Sequence, residues 1–417
     1  MNNSAASRKL IYLLVTFGFV VMFLSTSIKS VYQIYFSDLA GHFGRGRADF
    51  AWSGSIFMLV TGLVSPLVGL LSDRFGPLRT VVVGAVAAGI ALVGTSLLNQ
   101  SLGLFILAYG LCGAFGLAAM TYVPMGVLVD RLFEQRKSGF AYAVITNGTS
   151  IGFIILSPFW LWLQPQVRWT EAFFWTGFVL LVPTAVIAWY AARRADSVGL
   201  GEEASVGTER KPSAWREVRT DPGFYALACG FFGCGATMAF VDVHLVAFWQ
   251  DGGTSRTQMA VSLGMLGTLE LVSGLVTGWL AMRYNKHSLL ASFYVMRSLA
   301  MLLLLSSVSE VRTIVFASLF GASYLGTVVI TSMYCLERYG LKIKGQTFGL
   351  LFLAHQLGAF VSVQLGAATF DAFKTYTPVI VSLAGVTIVG SVISWLTLRS
   401  SQRVPEPETC SLVEFDR

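Results

Sequence analysis

Six ionisable side chains lie inside or near long apolar stretches of the sequence, at Lys29, Asp242, His244, Glu270, Arg297 and His355. A Lys, Arg or Asp at the centre of a membrane helix costs about 2.5–3.5 kcal/mol on insertion scales. Such charges are therefore retained where they are paired or used. Lys29, Arg297 and His355 are predicted to attract a carboxylate, and Glu270 to carry a proton. The set therefore predicts transport of a small organic anion, with protons or by exchange.

Lys29 has Tyr32 and Gln33 at i+3 and i+4, which places three polar groups on one helix face. That face is suited to hold an anion in a water-filled cavity, although the lysine alternatively extends to the membrane interface. Glu270 and Arg297 lie at comparable depths in neighbouring stretches and are predicted to pair. The pair is either a static bridge or one that opens when a substrate carboxylate replaces Glu270 and this acid takes a proton.

Further polar side chains in the apolar stretches are predicted to bind the substrate, at Tyr122, Asn147, Tyr324, His355 and Gln356. For Asp242 and His244 an interfacial position is favoured over a gate at the outer end.

Composition indicates which elements carry these groups. Of the 417 residues, 55% are hydrophobic and 12% are charged, and the mean hydropathy is +0.68. Soluble domains carry about 25% charged residues. The sequence therefore predicts a polytopic membrane protein whose partner is the lipid bilayer, and excludes a disordered chain, a disulfide-rich secreted module and a nucleic-acid binder.

A bilayer core of about 30 Å requires about 20 apolar residues per helix. Twelve stretches meet this requirement, at about 10–34, 52–71, 80–98, 104–128, 138–161, 172–192, 222–248, 258–281, 289–308, 313–334, 347–370 and 378–398. Most of the 29 Lys and Arg residues fall in alternate loops. By the positive-inside rule this predicts a multi-pass protein of the cell membrane, in bacteria the inner membrane, with both termini cytoplasmic.

The longest polar stretch between spans divides the twelve into two sets of six. The predicted organisation is a six-helix bundle at 1–192, a cytoplasmic linker at 193–221, a second six-helix bundle at 222–399 and a polar cytoplasmic tail at 400–417. Gly69–Gly76 after span two is repeated as Gly278–Asn285 after span eight. The fold class is thus an all-α membrane protein with twelve transmembrane helices in two pseudo-symmetric bundles, an architecture that binds substrates between its halves.

Signatures of other chemistry are missing from the sequence. It contains no nucleotide-binding G-x-x-x-x-G-K-S/T and no H-E-x-x-H. The five cysteines form no C-x-x-C, and the Cys and His spacing fits no metal site. We expect a protein that is not an enzyme and that needs no cofactor or metal.

The segment GLLSDRFGPLR resembles the loop 2–3 signature of the major facilitator superfamily, through Gly69, Asp73, Arg74, Gly76, Pro77 and Arg79. The resemblance implies that family's fold and transport by alternating access. It also implies a conformational latch, in which Asp73 pairs with arginines of neighbouring loops in one state and releases them in another. A static loop pair is the alternative.

Within the superfamily, RLFEQRKSGFAYAVITNGTSIG and LFLAHQLGA resemble the monocarboxylate-porter and oxalate–formate-antiporter group. Lys29 and His355 lie where members of that group carry substrate-binding lysines. Of the acid and arginine that the group carries in span eight, Glu270 is present and Gly274 replaces the arginine. The resemblance therefore implies a mono- or dicarboxylate carrier, by symport or antiport, and we expect a monomer.

Two other functions remain open at this stage. One is an exporter of drugs, siderophores or other amphiphilic compounds, for which the 13% aromatic content is suited. The other is a transporter-like membrane sensor that binds its ligand without moving it.

Overall fold

Long apolar helices make up the computed structural model, which describes residues 2–44, 46–133, 135–197, 218–306 and 309–401. Within these ranges eleven helices are long and apolar enough to cross a bilayer. In hydrocarbon no water is present to bond the backbone, so each crossing segment satisfies its N–H and C=O groups internally, as a helix.

Six crossing helices come from the first half of the chain. They are α1 (Asn2–Ile34), α2 (Arg47–Phe75), α3 (Pro77–Leu97), α4 (Leu102–Phe105, Ile106–Gly113, Ala114–Met120 and Tyr122–Leu132), α5 (Gln135–Leu163) and α6 (Trp169–Val179, Leu180–Thr184 and Ala185–Ser197). A short helix, Phe36–His42, follows α1.

The second half contains the other five crossing helices and the less apolar helix α9. They are α7 (Pro222–Asp251), α8 (Arg256–Ala281), α9 (Lys286–Leu303), α10 (Glu310–Ala322, then from Tyr324 to Tyr339), α11 (Thr347–Phe373) and α12 (Thr377–Ser401). Helical conformation continues through Tyr324–Phe373, so α11 and the second part of α10 belong to one run.

Helix α9 is the predicted span that does not reach the apolarity of the other eleven. It has 18 residues, and Arg297 is buried on the face that also carries Leu290 and Tyr294. It packs against α12, which completes the predicted architecture of two six-helix bundles. The predicted linker falls largely on residues 198–217 and the tail on residues 402–417, both outside the described residues.

Helices α4 and α10, the fourth helix of each half, are both interrupted. The first break is at Thr121, with φ −112° and ψ −131°, and the second is at Ser323, with φ −97° and ψ −2°. Pro124 contributes to the first break because it has no N–H to bond the residue four positions earlier. In transporter folds built from two repeats, substrate sites are typically formed by such interrupted helices.

Backbones of α7 and α11 are in direct contact at two glycines. A Cβ atom on Gly235 would overlap the carbonyl oxygen of His355, and one on Gly358 would overlap the carbonyl oxygen of Phe232. Small residues allow this approach, which brings side chains of α11 next to those of α7.

One end of the bundle is closed by polar contacts between the halves. Arg47, at the start of α2, donates to both carboxylate oxygens of Asp251 at 2.5 and 2.9 Å and to the Tyr376 hydroxyl at 2.8 Å. Asp371 accepts hydrogen bonds from the backbone N–H groups of Arg47 and Ala48 at 3.0 and 2.7 Å. A carboxylate is favourable at a helix N-terminus, where unpaired N–H groups and the helix dipole carry positive charge.

The contacts between the halves run from this end to the middle of the bundle. They include Gln164 with Gln250 at 3.2 Å, and Gln33, which donates to the Val241 carbonyl at 2.7 Å. Near the middle of the bundle, the side chain of Lys29 on α1 is still 37% exposed. We interpret this exposure as a crevice that opens from the middle to the opposite end, which the loop charges predict to be cytoplasmic.

We expect Gly358→Ala to destabilise the protein, because an added methyl group forces α7 and α11 apart and overpacking costs about 1–3 kcal/mol. The apparent melting temperature of the detergent-purified protein should fall by several degrees. Gly349→Ala is the matched control on the same helix, since a Cβ there meets nothing within 4 Å. Equal melting temperatures for the two variants would contradict the close approach.

Candidate functional site

An ion pair joins the two halves at the inner end of the crevice. Lys29 Nζ on α1 lies 2.6 Å from Asp242 Oδ2 on α7, and the Tyr324 hydroxyl on α10 donates to Asp242 Oδ1 at 3.2 Å. The side chains of Lys29 and Asp242 are 37% and 12% exposed, so the pair is partly open to the crevice. The ammonium group can therefore be reached by a soluble anion.

Asp242 was not predicted to be the partner of Lys29. Asp242 and His244 were placed at the membrane interface, and for both residues that interpretation is wrong. Asp242 faces the crevice, while His244 is fully buried, with Nε2 2.8 Å from the Val363 carbonyl oxygen of α11. Depth along the helices does not identify this pair, because Lys29 lies five residues before the end of α1 and Asp242 nine residues before the end of α7.

The two tyrosines that follow the helix breaks are both close to this ion pair. Tyr324 contacts Asp242 directly. Tyr122, directly after the break in α4, is 47% exposed and lies within electrostatic range of Lys29 and Glu270. Both tyrosines can donate a hydrogen bond to an anion beside Lys29.

Glu270 forms the second acidic group of the site. It is 8% exposed and accepts a hydrogen bond from Ser150 Oγ of α5 at 3.1 Å. It also lies within electrostatic range of Asp242 and Lys29. Asn147 is one turn before Ser150 on the same helix and is half-buried. Three ionisable groups from α1, α7 and α8 thus share one region.

The predicted pair between Glu270 and Arg297 is not formed. Arg297 is fully buried and donates to the Ser323 and Tyr324 carbonyl oxygens at 2.8 and 3.2 Å, and to Cys234 Sγ at 2.9 Å. The break in α10 frees carbonyl groups that need donors inside the membrane. Arg297 supplies them and so fixes the position of Tyr324.

His355 and Gln356 lie in a different environment from Lys29. His355 is packed between α7 and α11, with Nδ1 3.2 Å from Gln356 Oε1 and Nε2 3.4 Å from Met238 Sδ. Its ring stacks on Phe352 with centroids 5.7 Å apart. The predicted binding residues therefore form two groups, and Lys29, Tyr122, Tyr324 and Glu270 are the group around the ion pair.

A small cavity adjoins the ion pair on the side of α2 and α4. Its lining includes Lys29, Asp242, Tyr32, Phe57, Met58 and Tyr109. One edge of the cavity is thus charged and the rest is mainly aromatic and apolar.

The GLLSDRFGPLR segment joins α2 to α3 at the open end. Gly76 has φ +94°, a backbone conformation that glycine adopts without strain. Arg131 donates to the Ser72 and Asp73 carbonyl oxygens at 3.3 and 3.2 Å, which caps the end of α2. Arg79 pairs with Asp196 of α6 at 2.8 Å.

The Asp73 carboxylate is exposed and has no ion-pair partner among the described residues. Arg74 lies over the Phe75 ring, 5.4 Å from its centroid. Gly69 approaches Val123 of α4, where a Cβ would have a neighbour at 3.8 Å. Within the described part of the chain, the Asp73 carboxylate thus forms no ion pair with an arginine of a neighbouring loop in this conformation.

Comparisons with known proteins agree with this architecture. The model of the Major Facilitator Superfamily matches residues 15–363. An uncharacterized MFS-type transporter, YcxA of Bacillus subtilis (strain 168), is 25% identical over 410 residues, covering 96% of this chain and 98% of that protein. Monocarboxylate transporter 4 of Mus musculus is also 25% identical over 410 residues, covering 94% of this chain and 86% of that protein.

Among solved structures, the fold is similar to a bacterial homolog of the human lysosomal transporter Spinster. The TM-score is 0.73 at 14% sequence identity, over 95% of this chain and 99% of that chain. This likeness concerns the fold alone. Because the family model covers most of the sequence, the chain belongs to the major facilitator superfamily of membrane transporters.

Proposed function

We propose that this transporter moves a small organic anion, a mono- or dicarboxylate, by alternating access, coupled to protons or by exchange. The observation that carries the proposal is the 2.6 Å ion pair between Lys29 and Asp242, which joins the halves and is partly open to the crevice. Relatives named as monocarboxylate transporters give independent support. From the loop charges, we place the protein in the cell membrane with both termini in the cytoplasm.

In this account the substrate carboxylate replaces Asp242 as the partner of Lys29. Exchange of one carboxylate for another keeps the lysine paired. The ammonium group is therefore never an uncompensated charge in a medium of low dielectric constant. Tyr122 and Tyr324 donate hydrogen bonds to the second carboxylate oxygen. The free energy of substrate binding offsets the loss of the contact between α1 and α7.

Once Lys29 has changed partner, the halves lose a bond at the middle of the bundle. The contacts of Arg47 with Asp251 and Tyr376 then hold the closed end. Rocking of the halves breaks these contacts and closes the other end, where Asp73 is available to pair. A ligand shifts such an equilibrium in proportion to its differential affinity for the two states.

Glu270 is proposed as the proton carrier. When the substrate takes Lys29, the charge of Asp242 loses its partner near a second carboxylate. Uptake of a proton by Glu270 removes one of these two negative charges. Ser150 donates a hydrogen bond to Glu270 and so links α5 to α8. Protonation of Glu270 therefore changes a contact between the halves.

Lys29→Ala should raise the half-saturating concentration of the transported anion about ten- to a hundredfold, since a hydrogen bond to a charged group contributes about 1.5–3 kcal/mol and 1.4 kcal/mol is tenfold. Uptake into proteoliposomes measures this. The matched control is Lys286→Ala, which breaks a 2.7 Å pair with Glu337 outside the crevice. An unchanged half-saturating concentration in Lys29→Ala would remove Lys29 from the substrate site.

Glu270→Gln should abolish accumulation driven by a pH gradient but preserve counterflow of substrate, because the amide keeps the shape of the side chain and cannot carry a proton. Both are measured in the same proteoliposomes. Glu171→Gln is the control, since this exposed acid accepts from the Arg168 backbone at the closed end. Gradient-driven accumulation by Glu270→Gln would show that the proton takes another route.

A further inference from the structure

A histidine that the proposed transport cycle does not use is buried near the closed end of the bundle. His244 is two residues after Asp242 on α7 and is 0% exposed. Its Nε2 atom lies 2.8 Å from the Val363 carbonyl oxygen of α11. Because a carbonyl oxygen only accepts hydrogen bonds, this nitrogen carries the hydrogen of the neutral ring.

The other ring nitrogen of His244 is left without a partner. Within the described part of the chain, Nδ1 is buried and forms no hydrogen bond. Protonation would make Nδ1 a second donor, and no oxygen of the described residues is in place to accept from it. The packing of the closed end therefore suits the neutral ring.

Three aromatic rings pack around this imidazole. The ring of Phe36, in the short helix after α1, meets it edge-on with centroids 5.1 Å apart. Tyr376, directly before α12, and Phe240, on α7, lie at 5.3 and 5.6 Å. On α11, a Cβ atom at Gly366 would lie 2.6 Å from His244 Cδ2. Of these neighbours, Phe36 alone belongs to the first half of the chain.

The charged groups around the site do not compensate a charge on this ring. Arg47 of α2 lies within electrostatic range of His244 and would repel an imidazolium ion. The carboxylates of Asp251 and Asp371 bind the Arg47 side chain and its backbone N–H. The other charged or titratable groups of the adjoining elements have partners of their own, in the pairs Lys29 with Asp242, Asp38 with Gln164, His42 with the Asn99 carbonyl oxygen, and Lys374 with the Phe370 ring.

A contact between the halves lies at the level of His244 on α11. Ser55 of α2 donates to Gln364 Oε1 at 3.4 Å, and Gln364 directly follows the Val363 that accepts from His244. Ser55 is fully buried in this conformation. Separation of the halves at this end removes Phe36 from the imidazole and lets water reach both His244 and Ser55.

We propose that His244 is a proton-binding switch of the closed end, and that a proton on Nδ1 favours the conformation in which this end is open. With the end closed, the imidazolium ion is an uncompensated charge among aromatic rings and beside Arg47. With the end open, water solvates it. A ligand shifts an equilibrium toward the state that binds it better, and here the ligand is the proton.

The inference rests on the proposed function and adds its regulation. By the proposed topology the closed end faces the exterior, so external acid opens the site to the outside. This proton is distinct from the one assigned to Glu270, which lies on α8 and accepts from Ser150. The Glu270 proton moves with the substrate, whereas the His244 proton sets which end is open.

The test measures reaction of Ser55→Cys with a membrane-impermeant maleimide, which reaches this thiol from outside when the halves separate. The full-length protein is in right-side-out membrane vesicles without substrate. The inner pH is held at about 7.5 and the outer pH is varied from about 5.5 to 8, across the usual titration range of histidine. The unsubstituted protein gives the background from its own cysteines.

Gly41→Cys is the matched control for the effect of pH on the thiol itself. Gly41 is exposed at the same end, and a Cβ there meets nothing within 4 Å. After division by the Gly41→Cys rate, labelling of Ser55→Cys should rise about tenfold from the highest to the lowest outer pH. This corresponds to a shift of about 1.4 kcal/mol toward the open conformation.

Adding His244→Gln to Ser55→Cys should remove this rise, because the amide stays neutral at every pH and still donates to the Val363 carbonyl oxygen. His244→Asn takes its place if the Gln variant is unstable. A change of the inner pH at constant outer pH should leave the corrected rate unchanged.

Three results would overturn the inference: a corrected rate that does not depend on outer pH, an equal rise with and without His244, or a rise that follows the inner pH. The labelling contains no carboxylate substrate, so it is read independently of transport. Uptake of organic anions by the same vesicles is measured separately, and its absence would reject the proposed function without deciding the role of His244.

Discussion

The ion pair between Lys29 and Asp242 is a single 2.6 Å contact, yet it connects the two halves at the point where the crevice ends. Removal of either partner would leave an uncompensated charge at the middle of the bundle, which surroundings of low dielectric constant disfavour. The lysine must therefore always have an anion beside it. That requirement makes a substrate carboxylate and Asp242 alternatives at one position, and it couples binding to the separation of the halves.

Breaks in α4 and α10 provide the polar groups around this position. In a continuous helix the backbone N–H and C=O groups bond to each other. An interruption changes the direction of a side chain and leaves carbonyl groups without a backbone donor. Arg297 donates hydrogen bonds to the carbonyl groups at the α10 break. This arginine, which was predicted to bind the substrate, therefore holds Tyr324 in position. The glycine contact between α7 and α11 holds the helix of Asp242 against its neighbour.

Much of the fold could be predicted from the sequence, because apolar runs of bilayer length and loop charges depend on local composition. Lys29, Tyr122, Tyr324 and Glu270 could be selected because polar groups within such runs are few. The partner of Lys29 could not be found this way, since Asp242 is 213 positions away and the pairing depends on helix rotation. The predicted pair of Glu270 and Arg297 was wrong for the same reason, because equal depth does not establish that two side chains face each other.

Competition between Asp242 and the substrate for Lys29 is tested most directly by calorimetry on Asp242→Asn. The amide removes the competing charge and leaves the shape of the site. The account predicts that this variant binds a carboxylate substrate about tenfold more tightly than the unsubstituted protein, a gain of about 1.4 kcal/mol. Equal or weaker binding would contradict the claim that the two carboxylates exchange at one lysine.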